Sequence, residues 1–188
     1  MATTIDKKPS LTAQGAVGPL PGSLRRYELR CEMLTRLSLA RTFEIFERPE
    51  NLAEITPPWL NFRITTPGPI DMREGAEIEY RIRWLGLPMY WKTLITNYEP
   101  PLRFVDEQVA GPYLLWRHLH TFRETPEGVR VADRVEYILP FGPLGRLAHS
   151  ALVGGQLLGI FRFRQRALDR LFGGDSRTIL EPVIVDVR

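Results

Sequence analysis

Two of the chain's three histidines, His118 and His120, stand two positions apart in the stretch WRHLHTF, residues 116–122. Read as a β-strand, that spacing puts Trp116, His118, His120 and Phe122 on one face, because strand side chains alternate. Residues 129–140 alternate in the same way and place Val131, Asp133, Val135 and Tyr137 together. Thr125-Pro126-Glu127-Gly128 has the composition of a tight turn joining the two as a hairpin. Pairing Glu124 with Val129 then sets His120 opposite Asp133 and Trp116 opposite Tyr137. A carboxylate that holds an imidazole orients it and raises its basicity, which is the chemistry of a general base. His120 and Asp133 are therefore the candidate acid/base pair.

No serine or cysteine is motif-linked to that pair, so a hydrolytic triad has no support. Metal binding is the other chemistry that two histidines suggest. Their Cβ atoms would be about 7 Å apart, Asp133 is the only evident third ligand, and a usable site takes three or four. No metal and no other cofactor is expected. A plainer role competes with catalysis and is favoured over it. Buried polar groups normally have partners, so Asp133 satisfies His120, and the pair becomes a polar anchor at one end of an apolar pocket.

The elements that position these residues are set by hydrophobic periodicity. Tyr27, Leu29, Cys31 and Met33 alternate with charged neighbours, which predicts a half-buried strand. Ser38 offers an N-cap to a short helix carrying Leu39, Thr42, Phe43 and Phe46 on one face, and a second short helix runs from Pro49 to Thr56. Strands are predicted over 62–66, 76–84, 89–98 and 103–109 before the hairpin. In the second, Ala76, Ile78, Tyr80, Ile82 and Trp84 share a face. Pairing Trp84 with Met89 adds Trp91, Thr93, Ile95 and Asn97 to it. The strand over 103–109 has two mixed faces and no orientation can be assigned. From Pro143 to Phe172 the period becomes helical, about 45 Å at 1.5 Å per residue, long enough to cross a whole sheet. Leu144, Leu147, Ala148, Ala151 and Leu152 belong to its apolar stripe, and Ala148, Ala151, Gly155 and Gly159 form a row of small residues. Glycine costs about 1 kcal/mol against alanine in a helix. The row is read either as leaving room for a ligand against Tyr80, Trp84, Trp91, Trp116 and Phe122, or as allowing close packing or a bend.

The chain of 188 residues suits one domain with tails: an arm over 1–24, a domain over 25–172 and a tail over 173–188. The tail is apolar and β-prone, and its docking is left open. With 25 basic against 22 acidic residues, a net charge of +3 does not make nucleic acid a partner. Only Cys31 is present, so no intrachain disulfide forms. The chain has no apolar run of membrane-spanning length and no signal-peptide pattern, and a cytoplasmic protein is expected. Arg162, Arg166 and Arg170 line one side of the last helix, either as a solvated face or as a transient contact with a membrane surface.

A strand, two short helices, about six further antiparallel strands and a long helix make an α+β fold. The long helix must cover the aromatic face of a curved sheet of about seven strands. In this order, and in NLAEITPPWLNF (51–62), the aromatic strand at 78–84, FVDEQVAGPYLLWRHLHTF (104–122), DRVEY (133–137) and PFGPLGRLAH (140–149), the chain resembles the SRPBCC superfamily. These are START-like helix-grip domains, and the motifs resemble a bacterial ligand-binding branch. The resemblance covers residues 25–172. It implies a cavity between helix and sheet that accepts a hydrophobic small molecule: a lipid, quinone, isoprenoid or polyketide-like compound. Its expected lining is Tyr80, Trp84, Trp91, Trp116, His118, His120, Phe122, Asp133, Tyr137, Ala151, Gly155 and Gly159, with Pro57-Pro58-Trp59-Leu60 at the mouth. Non-catalytic binding is the leading expectation. A polyketide cyclase/dehydrase-type enzyme using His120 and Asp133 is the alternative, and a protein-interaction module docking a partner through residues 177–188 and the Arg162/Arg166/Arg170 stripe is the third.

Overall fold

The computed structural model describes residues 24–84 and 86–187. The expected arm therefore lies outside the described residues except for Leu24. The elements are β1 (Arg26–Thr35), α1 (Leu39–Glu47), α2 (Asn51–Glu54), β2 (Arg63–Ile64), β3 (Glu77–Trp84), β4 (Leu87–Glu99), β5 (Arg103–Ala110), β6 (Leu115–Thr125), β7 (Gly128–Ile138), α3 (Gly142–Ala148), α4 (Gly154–Leu171) and β8 (Ser176–Val187). The eight strands form one antiparallel sheet in the order β2-β3-β4-β5-β6-β7-β1-β8, covered by the long C-terminal helical segment. Among the described residues no helix is long and apolar enough to cross a membrane.

The hairpin has the register read from its turn. Glu124 pairs with Val129, His120 with Asp133 and Trp116 with Tyr137. Gly128 closes the loop at φ +135°, where an added Cβ would lie 2.3 Å from the Thr35 carbonyl oxygen. The β3–β4 turn is tighter than expected. Gly86, at φ +80°, allows Trp84 to pair with Leu87 and Ile82 with Met89. The shift is even, so Tyr80 still faces the same side as Trp91 and Thr93.

Asn97 departs from its expected face. A bulge between Ile95 and Asn97 reverses the alternation. Tyr98 consequently packs on Phe43, while Asn97 Nδ2 donates to Glu99 Oε1.

The segment after residue 172 belongs to the sheet. β8 pairs along β1, with register shifts around Glu32, and Gln165 of α4 spans the irregularity by donating to the Leu180 and Glu32 carbonyls at 3.1 and 3.4 Å.

The long helix is not uniform. Residues His149–Val153 form a π-helical turn between α3 and α4. A wider turn holds one more residue and rotates the residues beyond it by about 100° relative to a regular helix. The apolar stripe expected through Leu144 and Leu147 is corrected: those two residues, ahead of the π turn, are 70% and 67% exposed, and Ala151 within it is exposed as well. The buried face after the π turn runs through Val153, Leu157, Phe161, Leu168 and Phe172.

Two apolar clusters fill the space under this helix. One gathers Met33, Phe43, Phe46, Phe122, Val131, Leu168 and Phe172, and the other Tyr27, Leu29, Val135, Tyr137, Leu157 and Phe161. Polar residues come between the two along the chain on three elements: His118 and His120 on β6, Asp133 on β7 and Arg164 on α4.

Candidate functional site

A cavity of about 380 Å³ lies between the sheet and the helices. Tyr80 and Trp84 of β3, Trp91 of β4 and Trp116 of β6 form much of its apolar wall, with Leu157, Ile160 and Phe161 from α4 opposite. Alternation on β3, β4 and β6 turns these aromatics to one side of the sheet. Tyr80 Oη and Trp91 Nε1 both meet the Thr93 hydroxyl, at 3.3 and 3.1 Å. Burial pushes the Tyr80 and Tyr113 phenols up, so both stay neutral in this wall. From the expected mouth loop, Leu60 lines the cavity, whereas Trp59 is exposed and packs edge-on against Phe163.

The charged and imidazole side chains of the cavity lining are Asp106, His118, His120 and Arg164. His120 Nε2 lies 3.1 Å and His118 Nδ1 3.5 Å from the same Asp106 oxygen, Oδ2. The opposite ring nitrogens both approach Asp133 Oδ1: His118 Nε2 at 3.0 Å and His120 Nδ1 at 2.7 Å. The second of these contacts lacks hydrogen-bond alignment, and His120 Nδ1 has no hydrogen-bond partner. The two rings overlap with centroids 3.8 Å apart. Behind them, Asp133 Oδ2 accepts from Cys31 Sγ at 3.7 Å and faces Arg164 Nε at 3.8 Å. Arg164 also lies over the Phe46 ring, 5.6 Å from its centroid.

Burial and charge set opposite directions for these groups. Burial acts to raise the pKa of Asp133, but Arg164 and the two histidines outweigh it and hold the carboxyl well below the usual range. Asp106 is lowered in the same way, burial being overcome by His118, His120 and Arg164. Burial lowers His118, helped by its proximity to His120. His120 experiences the same burial, yet its contacts with Asp106 and Asp133 raise it. Burial, then Asp133, pushes the Cys31 thiol up, which makes it a poor nucleophile.

Of the residues expected in the lining, Tyr80, Trp84, Trp91, Trp116, His118 and His120 face the cavity. Phe122, Asp133, Tyr137, Ala151, Gly155 and Gly159 do not. Phe122 is packed against Phe43 and Phe46 beneath α1, with ring centroids 5.2 and 4.9 Å away. Asp133 stands on the far side of the histidines. The Tyr137 hydroxyl is 2.7 Å from His149 Nε2 in the second apolar cluster. Ala151 and Gly155 are exposed because the π turn rotates their face outward, and an added Cβ at Gly155 or Gly159 would meet nothing within 4 Å. The small residues at the cavity are Gly145 and Ala148 instead.

Asp106 and Arg164 are the functional candidates absent from the sequence expectation. Asp106 sits on β5, the strand without an assignable face, and its pairing with His118 supplies the missing orientation. Arg164 lies off the line of Arg162, Arg166 and Arg170, and those three are exposed.

No family model matches the chain, and no curated protein matches it either. Solved structures do. Protein Ms6760 from Mycobacterium smegmatis is 16% identical, with 78% of this chain and 91% of that one covered at a TM-score of 0.59. Protein CV1439 from Chromobacterium violaceum is 14% identical over 77% and 96%, with a TM-score of 0.60. Ginseng major latex-like protein 151 from Panax ginseng is 14% identical over 79% and 98%, with a TM-score of 0.59. The fold is a helix grip. In this helix-grip protein the sheet supplies the aromatics and histidines of the cavity, and α4 supplies Arg164.

Proposed function

We propose that the protein binds a hydrophobic small molecule, such as a lipid, quinone, isoprenoid or polyketide-like compound, in this cavity. The observation that carries the reading is an apolar chamber of about 380 Å³ whose charged groups are gathered together. Ligand sites have this composition: apolar walls give affinity, and a few convergent polar groups fix orientation. Phe141, Leu144 and Leu147 are exposed close to the cavity residues Pro140, Gly145 and Ala148. That apolar rim suits ligand exchange by transient contact with a lipid surface. Native mass spectrometry with lipid extraction, on protein purified from its own host, should show a retained hydrophobic compound. Absence of any adduct, together with no fluorescence gain by 1-anilinonaphthalene-8-sulfonate, would reject the reading.

A second reading, a polyketide cyclase/dehydrase-type enzyme, draws on His120 facing the cavity with Asp133 Oδ1 2.7 Å behind it. In it His120 moves a substrate proton and Asp133 stabilises the imidazolium. It requires His120→Ala to abolish turnover in a folded protein; retained turnover would exclude it.

A further inference from the structure

Each imidazole of the cluster uses its two nitrogens on opposite sides. One side converges on Asp106 Oδ2, at 3.1 Å from His120 Nε2 and 3.5 Å from His118 Nδ1. The other converges on Asp133 Oδ1. A first-row metal lies about 2.1 Å from nitrogen and oxygen ligands, which sets neighbouring ligand atoms about 3.0–3.5 Å apart. One ligand atom each from Asp106, His118 and His120 can be chosen so that all lie within 4.8 Å of one another. The inner-side separations therefore have the scale of a coordination shell. On the outer side His118 meets what such a shell requires, since a ligating histidine almost always gives its other nitrogen to a carboxylate or carbonyl and its Nε2 bonds Asp133 Oδ1 at 3.0 Å, while His120 Nδ1 lies 2.7 Å from the same oxygen without hydrogen-bond alignment.

Asp106, His118 and His120 line the cavity, and Asp133 does not. Ligands thus face the chamber and the supporting carboxylate lies behind them. We propose that Asp106, His118 and His120 bind a divalent first-row transition cation at the cavity wall, with Asp133 positioning His118 by a hydrogen bond and standing behind His120. Two imidazoles and one carboxylate suit iron, cobalt, nickel or zinc and leave coordination positions open. Arg164, reaching in from α4 opposite the sheet, lowers affinity for a bare cation. It favours an anionic oxygen, hydroxide or carboxylate, in the open positions. The ion takes the lone pair that the acid/base reading needs, so the two exclude each other. Hydrophobic binding elsewhere in the chamber stands or falls separately.

The test uses tag-free full-length protein, stripped with EDTA and titrated with cobalt(II) chloride. One equivalent should bind, with visible d–d absorption and two paramagnetically shifted, exchangeable imidazole N–H signals. Asp133→Asn should weaken binding by about 10–100-fold and shift those N–H signals. Asp106→Asn and His118→Asn, confirmed as folded by circular dichroism, should weaken it further. No stoichiometric cobalt binding by the folded wild type, which needs no variant to establish, overturns the proposal. So does unchanged affinity in folded Asp106→Asn.

Discussion

His118 Nε2 lies 3.0 Å from Asp133 Oδ1, and both side chains are almost wholly buried. The same carboxylate faces Arg164 and receives the Cys31 thiol. Removing it leaves a cation and an imidazole pair without their common partner in a water-poor interior. Asp133→Ala should destabilise the fold by about 3–5 kcal/mol in urea denaturation. A loss below about 1 kcal/mol, typical of an exposed pair, would show that the cluster is not held by this carboxylate.

Ile160 is half-buried on α4 and borders the chamber. Ile160→Trp places extra volume there, so binding of 1-anilinonaphthalene-8-sulfonate should weaken about tenfold, near 1.4 kcal/mol. The melting temperature should change little, because the added atoms enter empty space. Undiminished dye binding would place the dye site elsewhere.

Gly155 and Gly159 tolerate a Cβ without any contact. Alanine there removes backbone freedom from the unfolded chain, and each substitution should stabilise by about 0.4–1 kcal/mol. Calorimetry of the double variant should show a raised midpoint with ligand binding unaltered. A lowered midpoint would restore a packing role for the small-residue row.

Gln165 is buried and serves two carbonyls where β1 and β8 lose register. Gln165→Leu leaves those acceptors without a donor and should cost about 1–3 kcal/mol. Hydrogen exchange should accelerate in β8 before the rest of the sheet. Uniform exchange would mean that the helix does not pin the strand.

His149 stacks on Tyr27 at 3.7 Å and meets the Tyr137 hydroxyl. Burial lowers its pKa, opposed by Asp186. The folded state therefore favours the neutral ring, while the unfolded chain protonates near the ordinary value of about 6.5. Stability is full above that value and falls as pH drops from it through the folded pKa. His149→Gln should reduce the loss measured between pH 7.5 and 5.5. An unchanged slope would assign the loss to other groups.

Alternation within β6 and β7 and the turn between them were enough to pair His120 with Asp133, since both are local properties of about twenty residues. Element order likewise implied a sheet gripping a helix. Distant contacts decided the features that local pattern could not carry. β5 has apolar residues on both faces, Phe104 and Val105 being equally buried, so only its pairing with β6 turned Asp106 toward the histidines. The π turn rotated the helix after residue 148, moving Gly155 and Gly159 off the cavity and leaving Arg164 on it. β8 found its place against β1, at the opposite end of the chain. A strand or helix period states which residues share a face. Which face meets the cavity depends on a bulge, a wide turn or a partner strand, and a one-residue irregularity in any of these reverses the answer.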